Sequence, residues 1–363
     1  MRSRTSSSAM SGVLTVVSLL VLFAGGSARA STGPVGTPGD CPNLVAVPGG
    51  YRLEADTACD ARWDEDGTTL DLGGHTYTGN LRVAGEHQTL RHGRFRTDHQ
   101  FWVTPHLTIS GVVLSPSGQS TGGFAIEVGS YLTMENCTVR DFAGVALSFF
   151  HGGPATVRSS RFLGNGYGIS VQKADDITIE NNLFLRNGVG VRLWDEDGVM
   201  VDRNTVRGNL FRGNVDVGIM LAGWLPGGSS FEDNTVTRNR IEGTGGAGIR
   251  LLYQCDRARS SCGTGSTGNI TGNVLVRNGW SPPRESSGND GVTATLTEGS
   301  RPDGLRGVRL AGNVALLNAD LGLDVEGVTD GGHNLARFNR NPAQCSGVRC
   351  GRSAGAGTGF RTG

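Results

Sequence analysis

An asparagine step recurs through most of this chain: Asn-x-x-x-x-Asn, followed closely by glycine and an apolar residue. It occurs at Asn182/Asn187, Asn204/Asn209, Asn209/Asn214, Asn234/Asn239, Asn273/Asn278, Asn313/Asn318 and Asn334/Asn339, with Ser160/Asn165 and Cys137/Phe142 as degenerate earlier copies. An apolar residue sits between the two members, as at Phe184, Val206, Phe211, Val236 and Leu275. A side chain that returns once per turn of a coil stacks on its own copies, and stacked amides hydrogen-bond into a ladder. With the first member as landmark, coils start at 137, 160, 182, 204, 234, 273, 313 and 334. The steps are 23, 22 and 22 residues, then 30, 39, 40 and 21. Residues 204–223 and 234–253 align without a gap, Asn204 on Asn234 and Ile219 on Ile249. A second landmark is Gly-apolar-x-apolar, at Gly168, Gly190, Gly218, Gly248, Gly291 and Gly322, and its alternation is that of a strand. A repeat of about 22 residues is too short for paired helices, and neither a 3.6-residue apolar period nor leucine-rich spacing appears. What remains is a coil of three short strands per turn, stacked as a parallel β-solenoid.

The chain resembles the right-handed parallel β-helix repeat family, the superfamily of pectate lyases and NosD-like periplasmic proteins, over roughly residues 68–341. The segment Leu70-Asp71-Leu72-Gly73-Gly74-His75-Thr76 is similar to the first coil of NosD-like and carbohydrate-acting members. The resemblance implies an all-β, single-domain right-handed parallel β-helix of roughly 8–10 coils. Its internal ladder would run through Asn182, Asn187, Asn204, Asn209, Asn234, Asn239, Asn273, Asn278, Asn313 and Asn318. It does not fix an activity.

Composition fits this reading. The 59 glycines suit frequent corners rather than helices. Residues 1–30 read as a secretory signal peptide: basic Arg2 and Arg4, an apolar run Val13–Ala24, and a cleavage site after Ala30. That run is too short to span a membrane. Export is therefore expected, with a cap over 31–67, the solenoid over 68–341 and a C-terminal turn and tail over 342–363. Cleavage leaves 30 basic residues against 33 acidic ones, which argues against nucleic acid as the partner. The cysteines are Cys41 and Cys59, Cys255 and Cys262, Cys345 and Cys350, with Cys137 left over in a ladder slot. Six cysteines permit fifteen pairings; export and local spacing favour the three neighbouring pairs.

Chemistry is sought where the repeat lengthens. Connections after the Gly-apolar strand grow from residues 171–178 to Trp194–Gly198, Gly223–Ser230, Tyr253–Gly268 and Glu298–Gly307, so they should form a wall at one corner. Beside it, outward positions two after each glycine read Ser170, Arg192, Met220, Arg250, Thr293 and Asp324. Positions four after read Gln172, Trp194, Ala222, Leu252, Thr295 and Glu326. Guanidinium forks suit the carboxylates of acidic sugars, and aromatic rings suit sugar faces. Arg192, Arg250 and Tyr253 are the catalytic candidates, for proton abstraction α to a uronate carboxylate and stabilisation of the resulting enolate. Trp194, Trp224 and Asp324 are the substrate-binding candidates, with Trp194, Trp224 and Tyr253 expected at one corner of three coils. Asp195, Glu196 and Asp197 are the candidate ligands for calcium. Full lyase, polygalacturonase and alginate-epimerase motifs are absent. The expectation is a monomeric, secreted protein that binds, and as a lyase or C5-epimerase modifies, an acidic polysaccharide. The alternatives are a non-enzymatic glycan- or protein-recognition module and a NosD-like metal-maturation accessory.

Overall fold

The computed structural model describes residues 36–97, 101–103, 106–118, 123–196, 201–224, 231–253, 265–281, 288–296 and 304–351, with backbone alone at 101–103, 195–196 and 224. These residues lie in one compact unit, Val35–Gly363. Each coil contributes three strands, as in Ile177–Glu180, Leu183–Leu185 and Val189–Glu196. The next coil pairs with it in parallel register, Thr178 on Thr205, Phe184 on Phe211 and Val191 on Ile219. The gapless alignment of 204–223 with 234–253 is the register observed, Val206 on Val236 and Ile219 on Ile249. Among the described residues, no helix is long and apolar enough to cross a membrane.

In-register stacking places like on like. Phe162, Phe184 and Phe211 stack with ring centroids 5.1 and 4.6 Å apart. Ile241, Leu275 and Ala315 continue that column in register. A second column runs through Ile169, Val191, Ile219, Ile249, Val292 and Leu323, all buried. The core is therefore continuous along the rod, and each coil depends on its neighbours for burial.

The asparagines turn inward at the corners and satisfy backbone groups that the turns free. The Nδ2 of Asn209 donates to Asn239 Oδ1 at 3.0 Å and to Ile179 O at 2.9 Å, while its Oδ1 accepts the Asn182 backbone N–H at 2.9 Å. The rung repeats through Asn239, Asn273, Asn313 and Asn334. A second ladder joins Asn165, Asn187 and Asn214, and resumes at Asn278, Asn318 and Asn339. The first ladder thus passes from Asn182 to Asn209 and Asn239, not to Asn204 and Asn234 as the sequence spacing suggests. Asn204 and Asn234 occupy a separate corner, where the Asn204 N–H donates to Asn234 Oδ1 at 3.0 Å. The five-residue step is ambiguous because it spans either of two consecutive short strands.

The residue before each ladder amide has positive φ, as at Asn181, Arg203, Arg238, Arg277, Leu317 and Phe338. The left-handed backbone reverses the strand and admits the amide. Parallel stacking begins at Gly50–Leu53, which pairs with Thr69–Asp71, inside the segment expected to be only a cap. Leu44–Val47 folds antiparallel onto that first strand and covers its edge, and a disulfide joins Cys41 to Cys59. At the other end Cys345–Ser346 still pairs with the strand Leu323–Val325, so stacking runs past residue 341, and Cys345 is bonded to Cys350. Cys255 and Cys262 lie outside the described residues. Cys137 is buried, and burial pushes its thiol up to about 11.

Candidate functional site

Ten strands, from Phe101–Val103 to Cys345–Ser346, form one sheet of the described solenoid. Its inward positions carry the Ile169–Leu323 column, so alternation sends the intervening residues outward. One outward row runs Glu127, Ser148, Ser170, Arg192, Met220, Arg250, Thr293, Asp324. The next runs Phe150, Gln172, Trp194, Ala222, Leu252, Thr295. Counting from the glycine landmarks therefore finds both rows, and Arg192 and Arg250 stand two coils apart with Met220 between them.

Arg192 is half-buried and firmly held. Its Nε and Nη2 donate to Ser170 Oγ at 3.2 and 3.1 Å. Its Cζ lies 4.5 Å from the Tyr167 ring centroid and 5.1 Å from that of Trp194. Trp194 thus meets a guanidinium and fixes it in place, a cation–π contact that orients the fork. Tyr167 is a participant that the sequence count missed, because it precedes the glycine landmark.

Arg250 differs. It is 7% exposed although it belongs to an outward row, and its Nε has no hydrogen-bond acceptor. Burial lowers its pKa below the usual arginine value, and the Asp216 carboxylate opposes that shift. Among the described residues no carboxylate lies within ion-pair distance of it. On the large sheet several arginines are paired, as Arg158 is with Glu135 at 2.6 Å.

Beside Arg250 in the row, the Thr293 hydroxyl donates to Asp290 Oδ2 at 2.8 Å. Asp290 is 4% exposed, and its Oδ1 accepts the Leu321 N–H at 2.9 Å. Burial pushes its carboxyl up to about 6, against the two hydrogen bonds and with help from Asp324 and Asp320. Asp216 and Asp290 also escaped the sequence count. Asp290-Gly291 is an Asp-Gly pair and reads as an ordinary corner.

Other candidates are placed elsewhere. Tyr253 is 0% exposed and belongs to the core, so it is neither a base at the surface nor a sugar platform. It pairs opposite Gly223, one residue beyond the outward Leu252, and parity turns it inward. A Cβ on Gly304 would come within 2.3 Å of its ring, so the chain closes over it. The three aromatics do not share a row: Trp194 lies opposite Ala222, and Trp224 lies opposite Glu196. Asp195 and Glu196 end the strand Val189–Glu196, and Asp197 lies outside the described residues. Among the described residues no group of three His, Cys, Asp or Glu side chains is arranged to hold a metal ion. Asp324 is half-buried in the outward row.

Comparison with known proteins agrees with this architecture. The family described as Right handed beta helix region matches residues 130–301. No curated protein sequence matches the chain. Among solved structures, the Dettilon tailspike protein gp208 is 12% identical with a TM-score of 0.57, over 79% of this chain and 60% of the tailspike. The chain therefore spans about three-fifths of that protein's length. The A-module of mannuronan C-5 epimerase AlgE4 from Azotobacter vinelandii is 14% identical with a TM-score of 0.47, over 77% of this chain and 83% of the module. A mannuronic acid specific polysaccharide family 6 lyase from human gut microbiota is 13% identical with a TM-score of 0.41, over 78% of this chain and 75% of the lyase. The parallel register, the family match and the likeness to the tailspike identify the chain as a right-handed parallel β-helix protein.

Proposed function

We propose that this protein is exported and binds an acidic polysaccharide along the outward face of the ten-stranded sheet. The observation that carries the reading is Arg250, a nine-tenths buried guanidinium whose Nε lacks an acceptor. A desolvated cation with no ion pair among the described residues is costly, and an incoming carboxylate removes that cost through charge-assisted hydrogen bonds. Arg192, oriented by Tyr167 and Trp194, offers a second fork two strand spacings away, roughly 10 Å at about 4.8 Å per strand. That is close to the separation of alternate sugars along a chain, so both arginines address the same face of a polymer.

A second reading adds chemistry of the lyase or C5-epimerase class, favoured by the raised carboxyl of Asp290, which Thr293 ties to the outward row that also holds Arg250. A carboxyl near 6 exchanges its proton close to neutral pH, and a guanidinium of the outward row would stabilise the enolate formed when the α proton leaves. With Tyr253 sealed in the core, Asp290 replaces it as the titrating group of this proposal.

The test is retention of the exported protein on gels of uronate polymers, with Arg250→Met as the variant. Methionine keeps the apolar stem and removes the charge. The expected outcome is at least ~10-fold weaker retention with unchanged circular dichroism, as loss of a charge-assisted fork implies. Equal retention of variant and wild type would sink the proposal. Ultraviolet absorbance from unsaturated products, or epimerised sugars by NMR, separates the enzyme from a recognition module.

A further inference from the structure

The corner before the second asparagine ladder reads Gly164, Arg186, Gly213 and Gly243 ahead of Asn165, Asn187, Asn214 and Thr244. All four have positive φ, and at three of them glycine meets it with no steric penalty. In the last coils the same position carries Arg277, Leu317 and Phe338, at φ of 57°, 58° and 57°. The left-handed backbone is the ladder's own turn, shared with Arg203 and Arg238, so what sets this corner apart is the size and exposure of its side chains. These side chains gain no burial in return: Phe338 is 75% exposed and Leu317 38%. Trp280, 58% exposed, leans across the same corner and is fixed there by donation from its Nε1 to Leu317 O at 3.1 Å. With Arg277 and Arg340 these residues line a hollow of about 490 Å³. Neither arginine has an ion pair among the described residues.

From this geometry we infer a second saccharide subsite, in which a uronic acid residue stacks its apolar ring face on Trp280 and Phe338 and gives its carboxylate to Arg277 or Arg340. A fixed aromatic plane with guanidinium forks at its rim is complementary to a sugar that is apolar on one face and anionic at one edge. An apolar partner would leave both cations unused. The hollow falls within the size range of ligand sites. Arg340 also borders an adjoining hollow of about 430 Å³ that contains Asn289 and Asp320, neighbours of the Asp290 corner. The two hollows are thus joined by one arginine and lead toward the ten-stranded sheet. The inference rests on the reading that the ligand is an acidic polysaccharide, and it extends the path of that polymer to the C-terminal corner.

The test uses the full exported chain on gels of alginate, pectate and hyaluronan, with Trp280→Ala, Phe338→Gly and the double variant. Phe338→Gly suits its own backbone, so its melting midpoint should hold or rise, and lost binding cannot then be ascribed to lost structure. The double variant is expected to bind the retained polymer at least ~5-fold more weakly than wild type, as loss of aromatic contacts implies. Undiminished retention of the double variant, beside weakened Arg250→Met, overturns the corner subsite while the face reading stands. No retention of the wild type on any of the three polymers overturns both. Sedimentation that changes from associated to monomeric in the double variant, with glycan retention unaltered, overturns the subsite in favour of a contact between copies.

Discussion

Arg250 and Tyr253 are three residues apart on one strand, and parity separates them: Arg250 belongs to the outward row and Tyr253 to the core. Outward parity is still not exposure, since Arg250 is only 7% exposed. Asp290 makes the same point for a carboxyl, and its titration has a testable consequence. Its folded pKa, about 6, lies above the ordinary aspartate value of 3.8, so the folded state holds the proton more tightly. Between those two values the native protein binds more protons than the unfolded chain, and stability falls as pH rises through the window. At neutral pH the destabilisation is on the order of 2–3 kcal/mol, at about 1.4 kcal/mol per pKa unit. Asp290→Asn keeps an acceptor for the Leu321 N–H and cannot ionise. Urea unfolding at pH 4 and pH 7.5 should show the variant gaining stability relative to wild type at the higher pH. An unchanged pH slope would count against Asp290 as the titrating group.

At the scale of elements, the glycine landmark has a steric cause. A Cβ on Gly190 would meet Gly218 O at 2.5 Å, and one on Gly218 would meet Gly248 O and Ile241 Cγ2, each at 2.6 Å. The row is glycine because the backbone of the next coil and the core side chains occupy that space. Gly218→Ala should therefore cost about 2 kcal/mol or more, in the range of overpacking effects, and lower the urea midpoint accordingly. A midpoint equal to wild type would mean that the coils separate there at no cost. The large sheet is regular in another way. Threonines at 69, 89, 108, 133, 156, 178, 205 and 235 form one outward rank. The adjacent rank holds opposite charges on neighbouring coils, such as Glu135 with Arg158 and Glu180 with Arg207. Such cross-strand pairs stabilise the sheet.

For the whole solenoid, the ends are the vulnerable parts. A stack of parallel strands exposes an edge at its first coil, and an uncovered edge recruits other chains. Here Leu44–Val47 covers it, and the Cys41–Cys59 bond ties the covering segment to the first coil. The paired substitution Cys41→Ser, Cys59→Ser releases a loop with a sequence separation of 18, for which the chain-entropy estimate is about 3 kcal/mol. Thermal melting should begin at lower temperature, with concentration-dependent light scattering from the uncovered edge. A melt identical to wild type would show that strand pairing alone holds the cap.

Much of this architecture was legible in the residues. The asparagine step and the glycine landmark both report a side chain or a missing Cβ once per coil, and a solenoid repeats its environment once per coil. The outward rows from Ser170 to Asp324 could therefore be counted without coordinates. The ladder's path through Asn209 rather than Asn204 could not, because two corners present the same local spacing and only strand pairing tells them apart. Nor could the burial of Tyr253, the hold of Tyr167 and Trp194 on Arg192, or the burial of Arg250 with its Nε unsatisfied. Sequence alone determined the repeat, its period and the parity of each strand, since these follow from local geometry. Which outward residue is buried, paired or left without an acceptor depends on segments distant in the chain, and only the tertiary structure decided it.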